Sequence, residues 1–143
     1  MADARFVTAA TMAALSLPLV FTVFAPAASA DPVPAGPPFV DHVAWAKWGD
    51  LSSLRVYPTV SGRAAAGALG TNAQADEAWG EVLRLSPDAD IPGMKAQFLC
   101  HWHYAEFAQP GKTSWNLEPW RPEVGDDAMA AAGCNPGGTE EPF

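Results

Sequence analysis

The sequence has few of the residues and motifs on which most enzyme chemistry depends. It contains three histidines and two cysteines, and it has no G-x-S-x-G nucleophile elbow, no phosphate-binding loop and no H-E-x-x-H metal motif. Basic residues are scarce, with 8 Lys and Arg against 16 Asp and Glu and a formal net charge of -8. An acidic chain is not expected to bind nucleic acid or an anionic membrane through bulk charge. A length of 143 residues is too short for a barrel enzyme of about 250 residues.

The long apolar run at the N-terminus predicts a signal peptide. Residues 6–25 carry no charge, and residues 28–30 form the small-x-small pattern that signal peptidase accepts. We expect cleavage after Ala30 and secretion from the cell. The chain then divides into the signal peptide, a proline-rich leader over residues 31–40 and one small domain over residues 41–143. The alternative is a transmembrane anchor; the cleavage pattern and two prolines favour removal, which leaves no stable membrane span.

Residue periodicity predicts an α+β domain in which an antiparallel sheet of about four strands has one main helix packed on a face. The predicted strands cover residues 40–48, 51–59, 95–104 and 113–118, the main helix covers residues 71–85, and a short helix covers residues 126–132. Apolar and polar side chains alternate from Lys95 to Tyr104, so residues 94–118 are predicted to form a long hairpin. Residues 61–70, rich in Gly and Ala, are predicted to form a loop whose alanines could begin a short helix.

The two cysteines, Cys100 and Cys134, predict one disulfide, because a pair of cysteines in a secreted chain is expected to be oxidised. The alternative is a catalytic thiol at Cys100 with His101 as its base. Adjacent residues of a strand point to opposite faces, so the predicted strand disfavours that alternative.

His101 and His103 form an H-x-H pair on one face of the predicted strand, about 6.6 Å apart at Cα. Two imidazoles at this spacing can share a metal ion, with His42, Glu106 or Glu118 as further ligands. This arrangement predicts a small metal-dependent hydrolase as the alternative function. The other interpretation is a pair of exposed histidines on a solvated sheet face. We predict no cofactor from the sequence.

Tryptophan is the prominent residue type, with six in the chain. Four of them lie on faces predicted to be buried: Trp45, Trp79, Trp102 and Trp115. Trp48 precedes a glycine and Trp120 lies between two prolines, positions at which a rigid loop can present a ring. An exposed ring can stack on a sugar or on the apolar face of a peptide. The alternative is that these two rings also belong to the core.

Several segments resemble a known family. They are Q-F-L-C-H at residues 97–101, K-T-S-W-N-L-E-P-W-R-P at residues 112–122, C-N-P-G-G at residues 134–138, S-L-R-V-Y-P-T at residues 53–59 and Gly62-Arg63. Together they are similar to the bacterial domain of unknown function family 2599 (DUF2599), which is found in secreted actinobacterial proteins. The resemblance covers about residues 41–138. It implies a secreted domain with two paired cysteines and no assigned activity, and it carries over no catalytic residue.

The motif around Trp120 supplies candidate binding residues. Arg121 can form a bidentate pair with Glu118 or with the carboxylate of a ligand. The alternative is a rigid corner that closes the hairpin onto the core. With contributions from the first hairpin, the candidate binding residues are Trp48, Arg55, Tyr57, Arg63, Glu118, Trp120 and Arg121.

The sequence therefore favours a secreted, non-catalytic binding or interaction domain that acts at or outside the cell envelope. The expected partner is an envelope glycan or a secreted protein, and not a nucleic acid.

Overall fold

Strands β1 (Val40–Trp48) and β2 (Leu51–Pro58) form an antiparallel hairpin. The computed structural model describes residues 36–138. A two-residue turn joins the strands, and Gly49 in this turn has φ 58°, in the left-handed region that favours glycine. β3 (Trp115–Leu117) pairs antiparallel with β2, so that the sheet has the order β1-β2-β3. The two strands predicted for the first hairpin are confirmed almost to the residue.

Within residues 36–138 four helices accompany the sheet, and they confirm the α+β prediction. They are α1 (Val60–Ala66), α2 (Asn72–Leu85), α3 (Met94–Ala108) and α4 (Asp126–Ala131), with a 3-10 turn at Pro87–Ala89. The helices predicted over residues 71–85 and 126–132 correspond to α2 and α4. Within residues 36–138, none of these helices is long and apolar enough to cross a lipid bilayer.

The predicted strand over residues 95–104 is wrong, and with it the hairpin over residues 94–118, because this segment lies in α3. Apart from Cys100, its buried positions recur every three to four residues, at 94, 97, 98, 101, 102 and 105, which is a helical spacing. Two of these positions hold the polar residues Gln97 and His101. Because these two residues are polar, the buried face of the helix is not recognisable as an apolar pattern. Apolar side chains at alternate positions of the segment instead predict a strand.

Residues 60–66 form α1 where the sequence predicted a loop. The Thr59 hydroxyl accepts a hydrogen bond of 2.9 Å from the backbone N–H of Gly62, which caps the start of the helix. Gly62 lies directly against the carbonyl of Phe39, where any Cβ would overlap the oxygen. The cap and this close approach fix a helix that the Gly- and Ala-rich composition alone does not specify.

The core is built around five aromatic rings: Phe39, Trp79, Phe98, Trp102 and Trp115. Their contacting ring centroids lie 5.5 to 6.2 Å apart, mostly in tilted or edge-to-face arrangements. Phe39 and Val40, which the sequence placed at the end of the leader, are buried in this core. Trp45, which was predicted to be buried, is 37% exposed and donates through Nε1 to the Ser86 hydroxyl.

The sheet has one face buried under the helices. On its other face Ser53 and Asn116 are buried, and the positions along β1 are exposed or half-buried. Leu54 and Val56 of β2 lie on the buried face and pair with Leu117 and Trp115 of β3, and all four are 0% exposed. Because side chains alternate along a strand, the intervening residues of β1 and β2 lie on the other face. We call this second surface the outer face.

Candidate functional site

The outer face of the β1–β2 hairpin carries a flat, partly aromatic surface, which we call the shelf. The shelf consists of His42, Ala44, Ala46 and Trp48 of β1 and Leu51, Arg55 and Tyr57 of β2, all of them exposed or half-buried. The strand register pairs Trp48 with Leu51, Ala44 with Arg55 and His42 with Tyr57. Three of the candidate binding residues, Trp48, Arg55 and Tyr57, are thereby brought to one surface.

Aromatic groups stand at both ends of the shelf. Trp48 is 51% exposed at the hairpin end of β1. At the other end, the rings of His42 and Tyr57 stack with centroids 4.0 Å apart and planes inclined by 11°. The His42 Nδ1 atom also lies 2.6 Å from a carboxylate oxygen of Asp41. The two alanines between these ends leave a low floor along β1.

Glu118 and Arg121 form a fully buried ion pair instead of a surface site. Both side chains are 0% exposed, and Arg121 Nε lies 2.5 Å from Glu118 Oε2. The second carboxylate oxygen of Glu118 accepts a hydrogen bond of 3.0 Å from the Ser53 hydroxyl of β2. The backbone of Glu118 exchanges two hydrogen bonds of 2.9 Å with the side-chain amide of Gln97 in α3. This geometry matches the rigid-corner interpretation of the motif.

The same arginine holds the C-terminal segment of the domain. Arg121 Nη1 donates to the carbonyl oxygens of Pro136 and Gly138 at 3.2 and 3.1 Å. Gly137 between them has φ 86° and packs against Pro122. The W-N-L-E-P-W-R-P and C-N-P-G-G segments therefore form one structural unit.

Trp120 lies at the edge of this unit and is half-buried. The Arg121 guanidinium carbon lies 4.6 Å from the centroid of its ring, within the range of a cation–π interaction. The ring is therefore partly committed to an intramolecular contact, unlike that of Trp48.

Arg63 lies apart from the other candidate binding residues. Its Nη1 atom donates to Glu106 of α3 at 2.7 Å, and its Nη2 atom donates to the carbonyl of Thr113 at 3.2 Å. Glu106 also accepts from the backbone N–H of Gly111 at 3.0 Å. These contacts connect α1 to α3 and to the turn that precedes β3, so the side chain has a structural role.

The two histidines of the H-x-H pair do not share a face, because they lie in α3 and not in a strand. Two residues apart on a helix, their side chains point in directions about 160° apart. His101 is 3% exposed, and its Nδ1 atom lies 2.8 Å from the Gln97 carbonyl oxygen. Within residues 36–138, no three His, Cys, Asp or Glu side chains are grouped closely enough to hold a metal ion.

A groove between α3 and α4 contains two depressions of about 620 and 530 Å³. His103 lines the larger depression, His101 lines the smaller one, and Tyr104 contributes to both. The Cys100–Cys134 disulfide joins the two sides of the groove, with its Cα atoms 5.6 Å apart, and confirms the predicted pairing. Polar side chains line both depressions.

Sequence reasoning missed two parts of these surfaces. His42 was considered only as a metal ligand, although it stacks on Tyr57 across the hairpin. The period-two pattern of β1 places His42, Ala44, Ala46 and Trp48 on one face once the strand is recognised, so the signal for the shelf was present. Tyr104, 52% exposed beside the groove, was hidden by the incorrect strand assignment.

Comparison with known proteins places this chain among proteins without an assigned activity. The family model described as "Protein of unknown function (DUF2599)" matches residues 40–137. "Uncharacterized protein Rv0477" of Mycobacterium tuberculosis and "Uncharacterized protein Mb0487" of Mycobacterium bovis are each 64% identical over 110 residues, covering 77% of this chain and 74% of theirs. "Uncharacterized protein ML2452" of Mycobacterium leprae is 55% identical over 103 residues, covering 72% of this chain and 83% of its own. No solved structure is significantly similar. The chain belongs to the DUF2599 family, and the resemblance predicted from its motifs is confirmed.

Proposed function

We propose that this member of the DUF2599 family is an exported, non-catalytic domain that binds a ligand at or outside the cell envelope. The observation that carries the proposal is the shelf, where Trp48, Arg55 and Tyr57 are held on one rigid hairpin surface. Rings in such positions stack on sugars or on apolar peptide faces. The ligand class is therefore an envelope glycan or a secreted protein.

The geometry of the shelf supports a binding role because the hairpin is rigid. β1 and β2 pair over their full lengths, so the shelf residues are presented by regular strands and not by a long loop. Leu54 and Val56, on the other side of β2, are 0% exposed in the core. A surface held in this way loses little conformational entropy when a ligand binds.

The side chains that the sequence offered for catalysis are engaged in structure or separated from one another. Glu118 is paired with Arg121, and Glu106 with Arg63. His101 and His103 face different depressions of the groove. The hydrolase alternative needs both imidazoles on one face of a strand, so we do not propose it.

Export rests on the N-terminal sequence, with its uncharged apolar segment and the cleavage pattern ending at Ala30. The disulfide fits an oxidising compartment. The test is to express the full chain in an actinobacterial host and to determine the N-terminus of the protein in the culture filtrate by mass spectrometry. We expect a chain beginning at Asp31. Full-length protein retained in the cytoplasm would contradict export.

The binding role is tested with the purified domain and its Trp48→Ala variant, screened against envelope polysaccharides and culture-filtrate proteins. We expect at least one ligand that the wild type binds and the variant does not. The matched control is Trp45→Phe, which changes a tryptophan of the same strand on the opposite face. If every ligand binds Trp48→Ala and Trp45→Phe as tightly as it binds the wild type, the binding surface lies elsewhere and the proposal is contradicted.

A further inference from the structure

We propose that the protein forms a symmetric dimer in which the free edge of β1 pairs antiparallel with β1 of a second copy. The pairing joins two three-stranded sheets into one sheet of six strands. The inference goes beyond the proposed function and does not depend on it. Three features of β1 carry it: an edge open to pairing, exposed rings on both faces, and a sequence that matches itself in the antiparallel direction.

β1 is an edge strand. The sheet has the order β1-β2-β3, so within residues 36–138 β2 is the one strand that pairs with β1. The two-residue turn makes Trp48 and the first residue of β2 a hydrogen-bonded pair, and such pairs alternate with non-hydrogen-bonded ones. The backbone N–H and C=O groups of Val43, Trp45 and Lys47 therefore point away from β2. A row of backbone groups of this kind is a template for another strand.

Both faces of β1 carry an exposed aromatic ring. Trp48 on the outer face is 51% exposed, and Trp45 on the opposite face is 37% exposed. From Asp41 to Trp48 every residue of the strand is exposed or half-buried. A ligand that lies on the shelf covers the outer face alone, whereas a strand added along the edge contacts side chains of both faces. The exposure of both rings therefore favours a partner at the edge.

The segment 42–48 has the same kinds of side chain when it is read in either direction. Rings stand at both ends and at the centre, with an alanine on each side of the centre: His42, Ala44, Trp45, Ala46 and Trp48. In an antiparallel pair centred on Trp45, His42 lies opposite Trp48 of the partner subunit. Ala44 then lies opposite Ala46 of the partner subunit, and the two-fold axis repeats each pair. Aromatic cross-strand pairs of this kind stabilise a sheet.

The two ends of β1 limit where a second copy can pair. The hairpin turn begins at Gly49, and the register with β2 shifts between Val40 and His42, which indicates a β-bulge. The regular edge is therefore residues 42–48, and its middle residue is Trp45. An antiparallel pair that uses the whole regular edge must be centred there, so strand geometry and sequence symmetry select the same register.

The backbone groups and the charges agree with this register. Val43 lies opposite Lys47 of the partner subunit, and Trp45 lies opposite Trp45 of the partner subunit, so outward-pointing groups meet each other. The three pairs of this kind exchange about six hydrogen bonds. A lysine on an edge strand ordinarily discourages pairing. Here Lys47 and Lys47 of the partner subunit are four residues apart, about 13 Å along the ladder, so like charges are not opposed.

The dimer also changes the shelf. The two-fold axis at Trp45 runs perpendicular to the sheet, so the outer faces of both copies lie on the same side. The two shelves then form one surface, in which Trp48 of each copy lies next to the His42–Tyr57 stack of the other. A ligand that contacts both shelves would bind more tightly than a ligand of one shelf.

The first experiment measures association of the purified protein by sedimentation velocity, from about 1 μM to about 1 mM. Salt at about 0.15 M screens the net charge of -8 on each copy. Lys47→Pro removes an outward-pointing N–H that the β1–β2 ladder does not use. Lys47→Gln removes the same charge and keeps the N–H, so it is the matched control. The unfolding midpoint of each variant is measured in denaturant.

We expect the wild type and Lys47→Gln to dimerise with a dissociation constant of about 10–100 μM, because a single strand edge makes a small interface. Lys47→Pro should weaken association at least tenfold, since two hydrogen bonds are lost in each dimer. A protein that stays monomeric up to about 1 mM would overturn the inference. Equal association of Lys47→Pro and Lys47→Gln would show that the interface is not this edge.

The second experiment tests the register by cross-linking, and it does not depend on the stability of the proline variant. Ala44→Cys and Ala46→Cys are oxidised separately and as a mixture, and disulfide-linked dimers are identified by mass spectrometry. In the mixture the two new cysteines face each other with Cα atoms about 4.5 Å apart, within reach of a disulfide. In either variant alone they are displaced by two residues, beyond the limit of about 7 Å.

We therefore expect the linked dimer from the mixture and not from either variant alone. Linked dimers that form as readily from one variant as from the mixture would contradict the register and with it the inference. A monomer that still binds a ligand through Trp48 would refute the dimer and leave the proposed function standing. A dimer whose ligands are all indifferent to Trp48→Ala would have the reverse meaning.

Discussion

The buried ion pair between Glu118 and Arg121 permits a quantitative prediction about stability. Replacing Arg121 with methionine removes a donor that lies 2.5 Å from the Glu118 carboxylate, and both side chains are 0% exposed. The carboxylate then stays buried and keeps the hydrogen bond that it accepts from the Ser53 hydroxyl. Removing one partner of a buried ion pair costs about 3–5 kcal/mol. We expect Arg121→Met to lower the free energy of unfolding by about this amount.

A double variant separates the charge from the packing. In Glu118→Gln/Arg121→Met the buried carboxylate is absent, so the double variant should be less destabilised than the sum of the two single variants. The difference is expected to be about 1–3 kcal/mol, typical of residues that share one network. The Pro136 and Gly138 carbonyls lose their Arg121 donor in both arginine variants, so this loss does not enter the difference.

The assay is equilibrium unfolding in guanidinium chloride followed by tryptophan fluorescence. Lys95→Met is the control, because Lys95 forms an exposed pair with Asp76 and exposed pairs contribute about 0–1 kcal/mol. A loss below about 1 kcal/mol in Arg121→Met would show that the pair does not stabilise the fold. Strict additivity in the double variant would show that the two side chains are not coupled.

Three further predictions concern the disulfide, a close backbone contact and one acidic side chain. Replacing Cys100 and Cys134 together with serine should cost about 3–4 kcal/mol, since their bridge closes a long loop; unfolding midpoints in oxidised and reduced protein measure this. Gly62→Ala should cost about 1–3 kcal/mol because its Cβ overlaps the Phe39 carbonyl. The pKa of Asp88 is held below its ordinary value of 3.8, chiefly by a hydrogen bond from a serine hydroxyl, so its carboxyl should titrate at lower pH in an NMR titration. The stability that Asp88 contributes is present above 3.8 and is lost as the pH falls through the lowered pKa.

Each of these predictions has a matched comparison. Gly80→Ala, in the middle of α2 with no close obstruction to a Cβ, should stabilise the domain by about 0.5–1 kcal/mol. Equal effects of Gly80→Ala and Gly62→Ala would contradict the steric argument. Asp88→Asn should lack the acid-dependent change in stability, and an unchanged pH profile would contradict the role of Asp88. No effect of reduction on the unfolding midpoint would contradict the role of the disulfide.

The first hairpin and α2 could be predicted from the sequence because local signals agree with tertiary structure there. Residues 40–48 are rich in aromatic and β-branched side chains, Leu54, Val56 and Tyr57 favour the second strand, and Gly49-Asp50 supplies the turn. In α2, apolar residues recur at helical spacing and place Trp79 in the core. Sequence pattern is a sufficient guide where the buried residues are apolar and the exposed residues are polar.

The pattern fails at α3, where polar residues are buried. Gln97 is 1% exposed because its amide pairs with the backbone of Glu118, and His101 is buried with its Nδ1 atom beside the Gln97 carbonyl. These partners come from tertiary structure and from the helix itself, so no local sequence pattern predicts that the two polar side chains are buried. Conversely, the apolar Leu99 is half-buried and the aromatic Tyr104 is 52% exposed. Polarity and burial therefore disagree along α3, and the alternation of apolar and polar residues is not the pattern of burial.

The candidate site was predictable in part. Trp48 is 51% exposed beside the turn, which agrees with one of the two interpretations that the sequence left open for this ring. The burial of Glu118 and Arg121 depends on contacts with β2, α3 and the C-terminal segment. Arg63 was grouped with them by sequence, but it contacts α3 and the turn before β3 instead. Strand register decides which residues share a face, and register becomes known only when both strands and their pairing are known.

The central claim, that the shelf of the hairpin binds a ligand, is tested most directly by mapping the ligand on the protein. The measurement is a ¹H–¹⁵N NMR titration of the domain with the ligand that binds best among the envelope polysaccharides and culture-filtrate proteins. The account predicts chemical-shift changes confined to residues 42–48 and 51–57, together with shifts in the indole N–H of Trp48. Changes concentrated in the groove between α3 and α4, around His103 and Tyr104, would contradict it.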